Sequence, residues 1–201
     1  MKLNAVEKVL MNNPARAAIQ RHYEGPLLER LGGTVDGAHV LEVGCGRGVG
    51  TQIILDRFRA EHVTAFDIDP DMVETARQRL ASHLPHAVTL SVGDVTDIDA
   101  ADATFDAVFD FGIIHHAPDW RSGLREIRRV LRPDGRFYFE EVTRHALQRW
   151  SYRTFLDHPD HDRFSGAEFV SACEDLDLTI GDRWTEKFFG DFVIGVATRT
   201  S

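Results

Sequence analysis

The sequence has little cysteine and no long apolar run, and each absence excludes a class of protein. Its 201 residues include two cysteines, Cys45 and Cys173, which is too few for a disulfide framework or a cysteine-based zinc site. No apolar run approaches the roughly 20 residues that a membrane helix needs. Residues 1–16 lack the continuous apolar core of a signal peptide. We therefore expect a cytoplasmic globular protein without a transmembrane segment.

Basic charge is also scarce. The chain has 23 lysines and arginines against 32 aspartates and glutamates, a formal net charge of -9. Contacts to nucleic-acid phosphates need a basic surface, so this balance disfavours a nucleic-acid partner. A small-molecule partner is the expectation, and nothing in the sequence indicates the oligomeric state.

Apolar blocks alternate with amphipathic helical patterns, which predicts βαβ units and an α/β fold. We expect a seven-stranded, mostly parallel sheet that ends in an antiparallel hairpin. The predicted strands cover residues 38–43, 62–66, 87–92, 105–111, 136–142, 178–185 and 192–198. The predicted helices between them cover residues 50–58, 70–80, 120–131 and 167–176, with a turn at Pro133–Gly135 after the third of these.

The whole of 1–201 is expected to be one domain, in which two stretches depart from the βα alternation. Residues 1–36 are predicted to form a mostly helical N-terminal cap, before a ligand-binding core over 37–143. Residues 144–165 form a second cap segment, and 166–201 supply a final helix and the hairpin. Segments added to a regular α/β core are where substrate specificity usually resides, so we assign the acceptor side to the caps.

The most informative segment is a glycine-rich turn between the first strand and its helix, with Glu42, Gly44, Gly46 and Gly48 at alternate positions. Glycines here permit a tight turn and let the backbone approach a ligand. The dinucleotide fingerprint G-x-G-x-x-G fails, because Val49 and Thr51 occupy the places of its third glycine, and no lysine follows as in a phosphate-binding loop. An acid before the glycines repels a pyrophosphate and suits a ligand with a cationic end.

From Ala38 to Glu141 these motifs resemble the class I S-adenosylmethionine-dependent methyltransferases, in particular the small-molecule branch that includes the ubiquinone and menaquinone enzymes. The resemblance implies a Rossmann-like three-layer sandwich. It also implies S-adenosylmethionine as cofactor and S-adenosylhomocysteine as product. The implied reaction is in-line SN2 methyl transfer to an O, N, C or S nucleophile of a small or medium-sized molecule.

The resemblance also assigns the cofactor-binding residues. The turn would hold the amino-acid end of the cofactor, Asp67 the two ribose hydroxyls and Asp94 the adenine amine. Asp69 competes with Asp67 for the ribose, but Asp69 before Pro70 is typical of a helix N-cap, so we assign the ribose to Asp67. The full predicted set is Glu42, Gly44, Cys45, Gly46, Gly48, Asp67, Ile68, Met72, Asp94 and Val95.

The candidate catalytic residues are His115, His116 and Glu141, at the ends of the fourth and fifth strands. One histidine could act as general base, since its ordinary pKa is near 6.5, or both could simply form the wall of the acceptor site. Neighbouring side chains in an extended chain point apart, so we expect no shared metal site. Aromatic residues are candidates for an apolar acceptor wall, although packing would explain each one: Tyr23, Trp120, Trp150 and Tyr152.

Two other functions remain open on the residues alone. An NAD(P)-dependent oxidoreductase uses a similar sheet, but Glu42 and the failed third glycine argue against it. A non-catalytic S-adenosylmethionine-binding protein would carry the same cofactor motifs. The number and order of the motifs favour the methyltransferase.

Overall fold

The computed structural model describes residues 13–147 and 163–200, which form a central sheet between two helical layers. The helices are α1 (Pro14–Ile19), α2 (Gly25–Gly32), α3 (Val49–Asp56), α4 (Pro70–Arg79), α5 (Trp120–Val130), α6 (Arg144–Leu147) and α7 (Gly166–Glu174). A π-helical turn covers Gln20–Glu24 and a 3₁₀ turn covers Ile114–His116. The strands are β1 (His39–Val43), β2 (His62–Asp67), β3 (Val88–Val92), β4 (Phe105–Phe111), β5 (Leu131–Val142), β6 (Leu178–Thr179), β7 (Trp184–Lys187) and β8 (Phe192–Arg199).

The strand order creates the place where a ligand can bind. The order is β3-β2-β1-β4-β5-β8-β6, with β7 also paired to β8. The first five strands are parallel, and β8 runs antiparallel to β5. From β1 the chain adds β2 and β3 on one side and then crosses to add β4 and β5 on the other side. The connections after β1 and β4 therefore leave in opposite directions, which opens a crevice at the carboxyl ends of these two strands.

The predicted fold class is confirmed, with one correction at the end of the sheet. The expected strand 178–185 is divided into β6 and β7, which lie along the same edge of β8. The division falls at a turn around Gly181, whose φ is +62°. The sheet is therefore seven positions wide but contains eight strands.

The fifth strand also begins earlier than predicted. β5 starts at Leu131, which pairs with Phe105, and regular pairing resumes only where Arg136 pairs with Ala107. The residues between them form an irregularity in which Asp134 has a φ of +63°. The predicted turn at Pro133–Gly135 is thus present, but inside the strand rather than before it.

The two faces of the sheet bury different helices, as the sandwich predicts. Along β4, Ala107 and Phe109 join the apolar cluster under α2, α3 and α4. Val108, between them, joins the cluster under α5 and α7. Alternate strand residues point to opposite faces, so this near-continuous apolar strand fills both cores.

The N-terminal cap is helical where the structure describes it. Asn13 caps α1 by accepting a hydrogen bond from the Arg16 amide, and the π-helical turn leads directly into α2. Residues 1–12 and 148–162 lie outside the described residues. Across the described ranges, no helix combines the length and apolar character needed to span a membrane.

Candidate functional site

A cavity opens at the carboxyl edge of the sheet, between the glycine turn and the N-terminal cap. The turn, the ends of β2, β3 and β4, and the 3₁₀ turn form its wall, and α1 closes one side with Asn13, Arg16 and Ala17. Nine of the ten predicted cofactor residues line it: Glu42, Gly44, Cys45, Gly46, Asp67, Ile68, Met72, Asp94 and Val95. Gly48 is the exception: a Cβ there would lie 2.9 Å from a Leu80 methyl, so this glycine packs beneath the cavity.

The glycine turn is held in shape by backbone bonds. The Cys45 amide donates to the Phe66 carbonyl at 2.8 Å, and the Gly48 amide donates to the Cys45 carbonyl at 2.8 Å. Gly46 has a φ of +50° and open space where a Cβ would stand. This glycine therefore presents bare backbone to the cavity, as close approach of a ligand requires.

Glu42 is a fully buried carboxyl that lines this cavity. Its Oε2 accepts a hydrogen bond from the Thr51 hydroxyl at 2.5 Å. A Cβ on Gly50 would clash with the Glu42 carboxylate, so the glycine makes room for it. Burial raises the pKa of Glu42 to about 8. No cation of the described residues pairs with it, and a positively charged ligand group would fit beside it.

The two acids at the end of β2 and the start of α4, Asp67 and Asp69, have different hydrogen-bond partners. Asp69 caps α4, with its Oδ1 accepting from the Asp71 amide at 3.1 Å, which confirms the predicted N-cap. Asp67 accepts from the Gly46 amide and from the Asp69 amide, both at 2.9 Å. Asp67 thus ties β2 to the glycine turn at the cavity wall, and its ribose role remains a prediction.

The loop after β3 supplies the third acid. Asp94 lines the cavity, and its Oδ1 accepts from both the amide and the hydroxyl of Thr96, at 2.9 and 2.8 Å. These bonds fix the loop in which Val95 turns its side chain toward the core. The adenine role of Asp94 also remains a prediction.

The two predicted histidines occupy different depths. His116 lines the cavity, whereas His115 lies behind it, with the ring centroids 4.1 Å apart. The Glu141 carboxylate accepts from His115 Nδ1 at 2.6 Å and from the Ile114 amide at 2.6 Å. Glu141 therefore fixes the orientation of His115 and of the turn that carries His116.

A second buried acid adjoins this pair. Asp110 accepts from the Ile113 amide at 2.9 Å and lies next to Glu141. Burial and the Glu141 charge raise the pKa of Asp110 well above its ordinary value, and burial raises the pKa of Glu141 to about 7. Two carboxyls this close cannot both ionise easily, so each raises the free energy needed to ionise the other.

Arg16 in α1 is a cavity residue that sequence reasoning missed. Its guanidinium pairs with Glu140 at 2.7 Å and also with Glu24, which joins the cap to the end of β5. Burial and the charge of Glu140 raise the pKa of Glu24 to about 8. No sequence signal links Arg16 to Glu140, because the partners are far apart in the chain. Gly50 and Thr51, also missed, follow the glycine motif directly and could have been found.

Two of the four predicted aromatic wall residues, Trp120 and Tyr23, lie away from the cavity lining. Trp120 is 1% exposed and packs on Phe164 and Phe169, so it belongs to the core and not to the cavity. Tyr23 is 38% exposed, lies outside the cavity lining and contacts the Phe188 ring at 6.2 Å. Trp150 and Tyr152 lie outside the described residues. Within the described ranges, no group of three or more His, Cys, Asp or Glu side chains is arranged so that it could hold a metal ion.

Comparisons with known proteins agree with this geometry. Residues 40–135 match the family model described as a methyltransferase domain. A malonyl-[acyl-carrier protein] O-methyltransferase of Serratia marcescens is 34% identical over 134 residues, covering 67% of this chain and 49% of that protein. A rice chloroplast 2-methyl-6-phytyl-1,4-hydroquinone methyltransferase is 36% identical over 99 residues, covering 49% and 29%.

A solved structure extends the likeness over the whole fold. It is a SAM-dependent methyltransferase from Aquifex aeolicus, with a TM-score of 0.71 at 20% identity, covering 98% of each chain. The chain spans about half the length of the curated relatives it matches.

Proposed function

We propose that the chain is a class I S-adenosylmethionine-dependent methyltransferase, and that it methylates an oxygen of a small or medium-sized acceptor with an apolar chain. One observation carries the proposal. A single cavity collects the acid before the glycine turn, the acid after β2 and the acid after β3, with His116 on the same wall. These are the parts needed to hold three regions of the cofactor and to meet an acceptor.

The residues present fit S-adenosylmethionine. The buried Glu42 carboxyl suits the ammonium of the methionine end, and the open backbone at Gly46 suits its close approach. Asp67 and Asp94 offer carboxylate oxygens for the ribose hydroxyls and the adenine amine. A nicotinamide dinucleotide fits less well, because the buried acid would face its pyrophosphate.

The bound cofactor supplies an electrophilic methyl group on a positively charged sulfur. The cavity residues hold and orient it, and orientation alone can contribute up to ~7–11 kcal/mol in favourable systems. His116 would accept the hydroxyl proton of an acceptor such as a hydroquinone, a step typically worth ~10²–10⁴-fold, whereas an ionised fatty acid has no proton to lose. Glu141 and His115 act as positioning residues for the turn that carries His116.

The apolar part of the acceptor is inferred from an aromatic turn at the same edge of the sheet. Phe188 and Phe189, between β7 and β8, are 59% and 92% exposed, and Phe188 contacts Tyr23 of the cap. The turn adjoins the carboxyl end of β5, since Thr143 bonds to the Asp191 carbonyl at 2.9 Å. The Serratia relative is named an O-methyltransferase, which supports an oxygen acceptor, and the rice relative is named for a substrate with a phytyl chain, which supports an apolar chain.

Calorimetric titration tests the cofactor assignment. S-adenosylmethionine and S-adenosylhomocysteine should bind, and NAD⁺ and NADP⁺ should not. Asp67→Ala and Asp94→Ala should each weaken binding about tenfold or more, as expected for loss of hydrogen bonds from a charged group. Asp99→Ala, an exposed aspartate of the loop after Asp94, is the matched control. Binding of a nicotinamide cofactor instead would make the oxidoreductase the better assignment.

A chain-length series tests the acceptor class. Methyl transfer to fatty acids and to alkyl hydroquinones should rise in kcat/KM as the alkyl chain grows, because each buried methylene contributes about 0.8 kcal/mol. Phe189→Ser should flatten this rise and leave short acceptors unaffected. Equal rates for short and long chains would refute the apolar part of the proposal. The free, buried Cys45 and Cys173 support a cytoplasmic location as part of the same proposal.

A further inference from the structure

Three arginines converge on the outer rim of the cofactor cavity. Arg47 belongs to the glycine turn itself, Arg21 to the π-helical turn of the cap, and Arg79 to the last position of α4. They come from three separate elements, so only the tertiary fold brings them together. We call them the arginine cluster.

Packing contacts place each member around the glycine turn. Arg47 lines the cavity, and its Nε is enclosed without a hydrogen-bond partner among the described residues. Arg21 donates to the Gln52 Oε1 at 2.5 Å, on the first turn of α3. Leu80, which follows Arg79, packs on Gly48. The π-helical turn, the glycine turn and the end of α4 therefore meet at the start of α3, and Arg79 lies close enough to Arg47 and Arg21 to be repelled by their charges.

The charge of the cluster is uncompensated, in contrast to the charges of two other arginines of the fold, Arg16 and Arg129. No carboxylate of the described residues forms an ion pair with Arg21, Arg47 or Arg79. Arg16 and Arg129 each pair with two carboxylates. Burial and the charges of Arg47 and Arg21 lower the pKa of Arg79. The positive charges of the three arginines repel one another. The chain has 32 aspartates and glutamates, so the lack of a pairing carboxylate at this place in the described ranges is notable.

We propose that the arginine cluster is a binding site for a phosphate group. A phosphate monoester carries about -1.5 to -2 charges at neutral pH and three acceptor oxygens, which matches three converging guanidiniums. A lone carboxylate would leave positive charge uncompensated. Guanidinium groups bind phosphate oxygens in a bidentate fashion, and the enclosed Arg47 Nε adds a donor that awaits an acceptor. The inference does not depend on methyl transfer, because it concerns a separate anion at the rim.

Titration of the full chain with inorganic phosphate tests the site, at ionic strength matched with chloride. Arg21→Gln and Arg79→Gln should each weaken phosphate binding about tenfold, as expected for loss of one charge-assisted hydrogen-bonding group. Neither residue lines the cavity, so S-adenosylhomocysteine affinity checks that the variants remain folded. Arg77→Gln is the matched control, since Arg77 lies on the same helix but pairs with Glu74, and its effect should stay within about twofold.

A second arm identifies the source of the phosphate. A dodecyl phosphate monoester that binds more tightly than inorganic phosphate, and loses affinity in the same variants, would assign the phosphate to a larger ligand that reaches the cavity. Equal affinities would assign a free phosphate ion. An equal loss in Arg77→Gln, or no preference for phosphate over chloride, would overturn the site and leave only general electrostatic attraction.

Discussion

Replacing Glu42 by glutamine should stabilise the protein at neutral pH while it removes cofactor binding. The carboxyl is fully buried, and burial raises its pKa. The folded chain must therefore either keep the carboxyl protonated or bury an ionised carboxylate, which costs free energy above pH 4.5. A glutamine has a similar shape and can still accept from the Thr51 hydroxyl. The substitution therefore removes the pH-dependent cost and keeps the packing.

The size of the effect follows from the two pKa values. Glu42 has a pKa of about 8 in the folded chain against an ordinary 4.5, so folding takes up a proton between these values. Stability that is fully present below pH 4.5 is lost as pH rises through 8, at about 1.4 kcal/mol per pH unit. The difference in the free energy of unfolding between the variant and the wild type should therefore grow with pH. Compared with its value at pH 4.5, it should rise in favour of the variant by about 3 kcal/mol at pH 7 and about 5 kcal/mol above pH 8.

Urea unfolding of both proteins from pH 4.5 to 8.5 measures this difference. Glu61→Gln is the matched control, because it makes the same substitution at an exposed position. S-adenosylhomocysteine should then stabilise the wild type and leave the Glu42→Gln variant unchanged. Parallel stability curves for wild type and Glu42→Gln would refute the assignment of Glu42 as a buried, proton-binding carboxyl.

Three further substitutions test other parts of the cavity. Gly50→Ala should push against the Glu42 carboxylate, destabilise the chain by about 1–3 kcal/mol and weaken S-adenosylhomocysteine binding, both measurable by calorimetry. His116→Gln should lower kcat by about 10²–10⁴-fold with little change in cofactor affinity; a drop below about tenfold would leave it a wall residue. Arg16→Gln should destabilise the chain by about 3–5 kcal/mol in thermal unfolding, because Glu140 is left buried and unpaired, and a second change, Glu140→Gln, should restore part of the loss.

The fold was largely predictable because its signals are local. Strand positions follow from apolar blocks. The N-cap at Asp69 follows from the Asp69-Pro70 pair itself, because the capping bond joins Asp69 to the Asp71 amide two residues later. The predicted strand 178–185 was wrong because its apolar pattern continues through Gly181, where the backbone takes a positive φ and the strand breaks. Local hydropathy does not register such a break.

The gathering of the predicted cofactor residues around one cavity was likewise predictable, because they follow consecutive strands and parallel strands end at one edge. The acceptor side was not. Apolar periodicity cannot distinguish a core tryptophan from a wall tryptophan, and Trp120 is in the core. The ion pair of Arg16 with Glu140, and the bond of Glu141 to His115, join residues that are distant in the chain and visible only in three dimensions.

The fit of Gly50 against Glu42 has a consequence for how this site can evolve. The two positions share one space, so the side chain at position 50 cannot become larger unless the side chain at position 42 becomes shorter. A relative that acquires a larger residue at position 50 should first shorten the acid to aspartate, which withdraws the carboxylate by one methylene. Substitution histories at these positions should therefore be coupled, with glutamate found beside glycine and aspartate beside bulkier residues.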